Sequence, residues 1–146
     1  MYPEERVTKF VSEQFEPVRL HVKKHPEEMG RFGAAWTPTV MIIEPDGTER
    51  YRIEGFLPTD DFLAQLKLGY AQTLFKRGDF GEAEKRFREV VDELPNTDAA
   101  AEAQYWSGVA KYKASGDASA LKATADAFKS HYSESTWAKK ASIWAA

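Results

Sequence analysis

Cysteine is absent from the 146-residue chain. Its absence excludes disulfide bonds, thiolate metal sites and a thiol nucleophile within the chain. It leaves the compartment open, because a cysteine-free chain is stable in either redox environment. Histidine is scarce as well: His21 and His25 fall on a predicted strand and the loop after it, and His131 is far away in sequence. This spacing is not that of a metalloenzyme, so we expect no metal site. Since a thiol nucleophile is also lacking, we expect no catalytic residue and no cofactor in this chain.

Excess positive charge and long apolar runs are also lacking. The formal net charge is -3, whereas nucleic-acid-binding proteins usually present a basic face. Even the longest apolar runs, such as Val40 to Ile43, are far shorter than a membrane-spanning helix. The first residues do not form a secretory signal, although a processed signal leaves no trace. We therefore expect a protein that binds neither nucleic acid nor membranes. The cytoplasm is its default location, and an extracytoplasmic location after signal removal stays open.

The chain does contain enough apolar residues for a core, and its sequence falls into two parts with different residue patterns. Hydrophobic residues make up 42% of the sequence, which is too many for a disordered tail. Residues 1–66 mix helical and strand patterns, whereas residues 67–146 are helical and alanine-rich. The predicted fold class is therefore α/β followed by all-α, with a domain boundary between residues 66 and 67.

Short alternating patterns organise residues 1–66. Val40 to Ile43 is continuously apolar, which is typical of a strand buried on both faces. The turn sequence Pro45 to Gly47 joins it to a returning strand, since proline presets φ and glycine accepts a positive φ. The expected elements are a helix over 4–15, a strand over 17–22, a helix over 27–32, strands over 40–43 and 50–53, and a helix that begins at Thr59.

Residues 67–146 are predicted to form helices only. The Gly-Asp turn at Gly78 recurs at Gly116, and helix–turn–helix units at such a spacing indicate a helical repeat. The expected helices cover residues 66–76, 80–94, 98–114, 121–132 and 137 to the end.

Five short motifs follow one another in a distinctive order between residues 17 and 66. They are the strand Val18 to Val22 with the loop at His25 and Pro26, the helix end Arg31 to Gly33, the loop Thr37 to Val40, the turn Pro45 to Gly47 and the bend at Gly55. In this order and spacing they resemble the C-terminal two-thirds of a thioredoxin fold. The first strand and the Cys-x-x-Cys motif of that family have no counterpart in the chain, so no catalytic residue carries over.

The motif Thr37 to Val40 is similar to the cis-proline loop of the thioredoxin family. In the family, the backbone of the residue before the proline pairs with an extended client peptide. Because proline cannot donate a hydrogen bond, the resemblance implies that the backbone of Thr37 is the exposed pairing group. The alternative is that the proline only shapes the entry to the strand. The peptide-binding residues that the resemblance implies are Trp36, Thr37, Pro38, Gly55 and Phe56.

Small and large residues also recur at regular positions in the helical part, namely Tyr70, Ala71, Leu74, Gly78, Phe80, Ala83, Phe87 and Pro95. This pattern resembles a tetratricopeptide repeat. A second unit over residues 104–132 is degenerate, and residues 137–144 would form a closing helix. The alternative to a binding role is that the helices only pack against the thioredoxin-like part. The partner-binding groove that the resemblance implies is lined by Gln72, Phe75, Lys76 and Gln104.

The resemblance leaves the sheet incomplete. The missing strand of the family would lie between residues 18–22 and 39–43, so two inner strand edges lack a partner. Three outcomes follow. The two strands pair directly, two chains share elements in a homodimer, or the chain is part of a longer protein with cysteines upstream of Met1.

These observations support three functional hypotheses. The leading one is a non-catalytic, chaperone-like module that binds a protein or peptide through a redox-inactive thioredoxin-like unit and a helical array. The alternative is the C-terminal portion of a thioredoxin-like thiol–disulfide oxidoreductase whose Cys-x-x-Cys precedes Met1. The third is a scaffold that forms homodimers through the open sheet edge, with a stability that depends on concentration.

Overall fold

The structure, a computed structural model, describes residues 4–145. Over this range, two helices and a β-hairpin are followed by a series of helices, which agrees with the predicted order of α/β and helical parts. The elements are α1 (Glu5–Gln14), α2 (Pro26–Arg31), β1 (Thr39–Ile43), β2 (Glu49–Glu54), α3 (Thr59–Lys76), α4 (Phe80–Glu93), α5 (Asp98–Ser115), α6 (Ser119–Ser130), α7 (Thr136–Ala141) and a final 3₁₀-helix (Ser142–Ala145).

The two strands form the predicted antiparallel hairpin. Val40 pairs with Ile53, and Ile42 pairs with Tyr51. Ile42 and Ile53 are buried, and α3 packs against β2. Because successive side chains of a strand point to opposite faces, these four residues form the face of the hairpin that lies on α3.

The predicted strand over 17–22 does not form. Residues 15–21 have no regular secondary structure, and the sheet in the described part of the chain contains only β1 and β2. Val18 is 82% exposed and Leu20 is 43% exposed. The alternation of apolar and polar residues favours a strand only where a neighbouring strand accepts its hydrogen bonds, and no described residue does so here.

Helix α3 is one continuous helix from Thr59 to Lys76, whereas the sequence pattern predicted one helix from Thr59 and a second from residue 66. No proline interrupts the segment, and the glycine within it, Gly69, lies under the hairpin. The predicted boundary between residues 66 and 67 falls inside α3. That division into two domains stays a prediction.

One hydrophobic core connects the α/β elements to the helices. It includes Val7 of α1, Ile53 of β2, Leu68 of α3 and Phe87 of α4, and it continues to Ala110 of α5. A smaller cluster lies at the other end, where Phe128 of α6 and Ala141 of α7 are buried against neighbouring aromatic side chains. Helix α5 packs against α3, α4, α6 and α7 and therefore links the two clusters.

Candidate peptide-binding site

The five residues implied by the cis-proline resemblance lie together at one end of the hairpin. The backbone N–H of Gly55 donates to the carbonyl oxygen of Pro38 at 2.7 Å, which joins the segment before β1 to the segment after β2. The hydroxyl of Thr39 donates to the carbonyl oxygen of Trp36 at 2.5 Å. The Thr37–Pro38 peptide bond is cis, and Gly55 has a φ of 89°, which a side chain would strain.

Two large apolar side chains at this end of the hairpin are exposed to solvent. Trp36 is 67% exposed and Phe56 is 72% exposed. Trp36 belongs to the segment before β1 and Phe56 to the segment after β2, and the hydrogen bond between Gly55 and Pro38 joins these two segments. Exposed apolar side chains grouped in this way are typical of interaction sites. We call Trp36, Thr37, Pro38, Gly55 and Phe56 the hairpin-end surface.

The free edge of β1 adjoins the hairpin-end surface. β1 begins at Thr39, directly after Pro38, and pairs with β2 along one edge only. Within residues 4–145, no strand pairs with its other edge. A strand edge without a neighbour presents N–H and C=O groups that an extended peptide can bind.

Contacts on both faces fix the orientation of the hairpin. On one face, the guanidinium of Arg52 donates to the carbonyl oxygens of Phe32 and Gly33, which end α2. The same guanidinium donates to Glu49 and lowers the pKa of that carboxyl. On the other face, Tyr51 donates its hydroxyl to the side chain of Gln65 on α3 at 2.5 Å. The hairpin that carries the hairpin-end surface is thus held on one face by the end of α2 and on the other face by α3.

The turn end of the hairpin is anchored to the C-terminal end of α3 by charged groups. Glu44 accepts hydrogen bonds from Arg77 and from Arg50, the latter at 2.6 Å. These bonds, Arg77 first, hold the pKa of Glu44 below its usual range. Lys76 donates to the backbone carbonyl of Arg50 at 3.2 Å. Lys76, which the repeat resemblance placed in a groove, therefore contacts the hairpin.

The other three residues predicted to line a groove lie in different surroundings. Gln72 is buried in α3. Phe75 packs between Phe80 and Trp106, with ring centroids 5.1 and 5.4 Å apart. Gln104 donates to the backbone of the segment after α6. Of the four residues predicted to line the groove, Lys76 is exposed, Phe75 and Gln104 are half-buried and Gln72 is buried. Their role in binding a partner stays a prediction.

A different set of side chains, which was not predicted as a candidate site, forms an aromatic surface on α5, α7 and the final 3₁₀-helix. Tyr105 stacks on Trp144 with a centroid distance of 4.9 Å and lies 5.3 Å from Trp137. The signal that could have found it is the seven-residue step from Trp137 to Trp144, which in one continuous helix would put both rings on one face; in the structure Trp144 lies on the final 3₁₀-helix. The Nζ of Lys140 lies 4.1 Å from the centroid of the Trp137 ring. We call Tyr105, Trp137, Lys140 and Trp144 the α5–α7 surface.

Between residues 4 and 145, no three His, Asp or Glu side chains lie close enough together to hold a metal ion. In the same range, no helix has the length and apolar character needed to cross a membrane.

Comparison with known proteins gives one result. Residues 3–69 match the family model of a thioredoxin-like domain. Neither the curated proteins nor the solved structures contain a significant match to the chain. The family match covers the hairpin and the first part of α3 and supports a thioredoxin-like fold there. The helices after residue 69 lie outside it, and their resemblance to tetratricopeptide repeats stays a prediction.

Proposed function

We propose that the chain is a non-catalytic module that binds an extended, apolar protein segment at the hairpin-end surface. The observation that supports this most directly is the joint exposure of Trp36 and Phe56 on two segments linked by the Gly55–Pro38 hydrogen bond. The rings supply apolar contact area, and the adjacent free edge of β1 supplies backbone hydrogen bonds. The chain has no cysteine for thiol–disulfide exchange. The cytoplasm is its expected location.

A short fluorescein-labelled peptide of alternating valine and threonine tests this proposal by fluorescence anisotropy. We expect saturable binding to the protein. The double variant Trp36→Ala, Phe56→Ala removes both exposed rings, so binding should weaken by about tenfold or more. Both side chains are largely exposed, so the fold should persist, which circular dichroism verifies.

Ile143→Ala is the matched control, because Ile143 is 76% exposed but lies on the final 3₁₀-helix. It should bind the peptide like the unmodified protein. Equal affinity for the double variant and the control would contradict the proposed site.

A second candidate function is the C-terminal portion of a thiol–disulfide oxidoreductase. The family match to a thioredoxin-like domain favours it, as does the free edge of β1, where a further strand fits. In that case the native gene product encodes a Cys-x-x-Cys segment ahead of Met1, and the native protein reduces a disulfide substrate above the buffer background. Sequencing the native protein from its source cells and assaying it distinguish the two candidates.

A further inference from the structure

A cleft of about 400 Å³ lies between α1, α3 and α4, away from the hairpin-end surface. Phe10, Leu63 and Leu94 line its base, and all three side chains are buried. Small-ligand sites in proteins typically measure roughly 300–1,000 Å³. The cleft is therefore large enough for a small ligand, and its base offers apolar contact.

Most of the charged side chains that line the cleft already have a partner within the protein. Lys67 donates to Glu93 at 2.8 Å, and its ammonium also lies 3.8 Å from Glu89. Arg86 pairs with the same Glu89 at 3.3 Å. Arg6, on α1, is paired as well. These charges are neutralised without a ligand.

Lys9 and Glu13 are the exception. Both line the cleft from α1 and are exposed. The ion pairs described between residues 4 and 145 include neither of them. They lie four residues apart, but a lysine that precedes its glutamate is the less favourable order for pairing along a helix. The cleft is therefore bordered by an ammonium and a carboxylate that have no partner.

We propose that this cleft binds a short zwitterionic peptide with apolar side chains, of the size of a dipeptide. The carboxylate of the ligand pairs with Lys9, its ammonium pairs with Glu13, and its side chains contact the base of the cleft. The charged ends of an extended dipeptide are about 5–6 Å apart, which matches the spacing of side chains one helical turn apart. A single amino acid holds its charges closer together, and a longer peptide holds them further apart. The site does not depend on the function proposed for the hairpin-end surface.

The probe is the dipeptide leucyl-leucine, and its affinity is measured from the amide chemical shifts of the ¹⁵N-labelled protein. We expect saturable shifts at residues of α1, α3 and α4. Glycylglycine carries the same charges without apolar side chains, and free leucine has a shorter charge spacing and one side chain fewer. Both should bind at least about tenfold more weakly.

Two variants and two modified ligands test the ion pairs one at a time. Lys9→Gln should weaken binding of leucyl-leucine by about two- to fivefold, as expected for an exposed ion pair, but not binding of leucyl-leucinamide, which lacks the carboxylate. Glu13→Gln should weaken leucyl-leucine similarly, but not N-acetyl-leucyl-leucine, which lacks the ammonium.

Matched controls remove the same charges away from the cleft. Glu5→Gln lies on the same helix and Lys139→Gln lies on α7, and neither residue lines the cleft. Both should bind leucyl-leucine like the unmodified protein. All four side chains are exposed, so each variant should fold, which its amide spectrum verifies.

Three results would overturn the proposal. The first is the absence of saturable shifts at the cleft, including the case in which leucyl-leucine shifts only residues of the hairpin-end surface. The second is equal affinity for glycylglycine and leucyl-leucine. The third is an equal effect of each variant on both modified ligands, because the charges would then act through the net charge of the protein rather than through pairing.

Discussion

At the scale of single residues, Glu44 connects elements that are distant in sequence. It accepts hydrogen bonds from Arg50, on the returning strand, and from Arg77, at the end of α3. Its pKa is lower in the folded protein than the ordinary value of 4.5 because both arginines favour the carboxylate. A depressed carboxyl pKa contributes stability above the unfolded pKa, and that contribution is lost as the pH falls through the folded pKa.

The Glu44→Gln variant should therefore melt at a lower temperature than the unmodified protein at neutral pH. The difference should shrink as the pH falls below the ordinary pKa of a glutamate, because the carboxylate is then protonated in the unmodified protein as well. Thermal melting followed by circular dichroism at neutral and acidic pH measures both differences. Glu134→Gln, at an exposed position, is the control and should melt like the unmodified protein at each pH. An equal loss at all pH values would refute the electrostatic explanation.

The residues of the two candidate surfaces differ in how well the sequence predicts them. The resemblance to the thioredoxin family grouped the hairpin-end residues, and the hydrogen bond between Gly55 and Pro38 joins the two segments that carry them. The α5–α7 surface was missed because Tyr105 and Trp137 are distant in the chain, and only helix packing brings their rings to 5.3 Å. Local pattern carries no information about which helix faces meet in this way.

At the scale of elements, the contact between hairpin and α3 depends on Gly69. A Cβ atom at this position would lie 2.5 Å from Cδ2 of Tyr51 and 2.8 Å from Cδ1 of Ile42. Glycine costs a helix roughly 1 kcal/mol relative to alanine. Because Gly69 has no side chain, α3 and the hairpin approach each other closely here. An alanine at this position would prevent that approach.

Gly69→Ala should lower the free energy of unfolding by about 1–3 kcal/mol despite its better helix propensity, because the hairpin must shift away from α3. Urea denaturation followed by circular dichroism measures the change. Gly81→Ala on α4 is the matched control, since a Cβ there meets no atom within 4 Å, and its stability should stay equal or rise. A Gly69→Ala protein as stable as the control would show that the hairpin does not rest on Gly69 in solution.

Most elements follow from the sequence, and the exceptions have physical causes. The hairpin and the helices were predicted by apolar spacing and by turn residues such as Pro45 and Gly47. The strand over 17–22 was predicted wrongly because an alternating pattern is identical whether or not a pairing strand exists. The continuity of α3 was missed because the change of pattern near residue 66 was interpreted as a helix boundary, although no proline or glycine lies between residues 59 and 68.

At the scale of the whole molecule, most of the exposed large apolar side chains among residues 4–145 lie between residues 18 and 56, and the others are Tyr112 and Ile143. Val18, Trp36 and Phe56 are each more than half exposed, and the free edge of β1 lies in the same part of the chain. We therefore expect two copies to associate through this edge, with a dimer fraction that rises with concentration.

Sedimentation velocity over a range of concentrations measures this association. Ile43→Lys places a charge at the exposed end of β1, and edge lysines oppose strand pairing. It should shift the equilibrium towards the monomer, whereas Ile143→Lys, the same change on the final 3₁₀-helix, should not. A protein that stays monomeric at every concentration, or that responds equally to both variants, would contradict association through β1.

The α/β elements and the helical part after residue 66 also pack against each other, in addition to being joined by the chain. Phe10 and Phe15, from the first helix and its end, pack against Tyr70 with centroid distances of 6.0 and 5.7 Å. Tyr70 lies in the second half of α3, beyond the predicted boundary between residues 66 and 67. A cut at that boundary would expose these rings, so we expect neither fragment to keep the full core.

The uninterrupted α3 fixes the position of the hairpin relative to α5, because both pack against it. Its 18 residues form a rod of about 27 Å, with the hairpin docked on one side and α5 packed beside it. Because the hairpin and α5 both pack on this helix, a partner that binds both the hairpin-end surface and the α5–α7 surface must match their fixed separation. Partners with the right spacing gain from simultaneous binding, and those with a mismatched spacing engage only one surface.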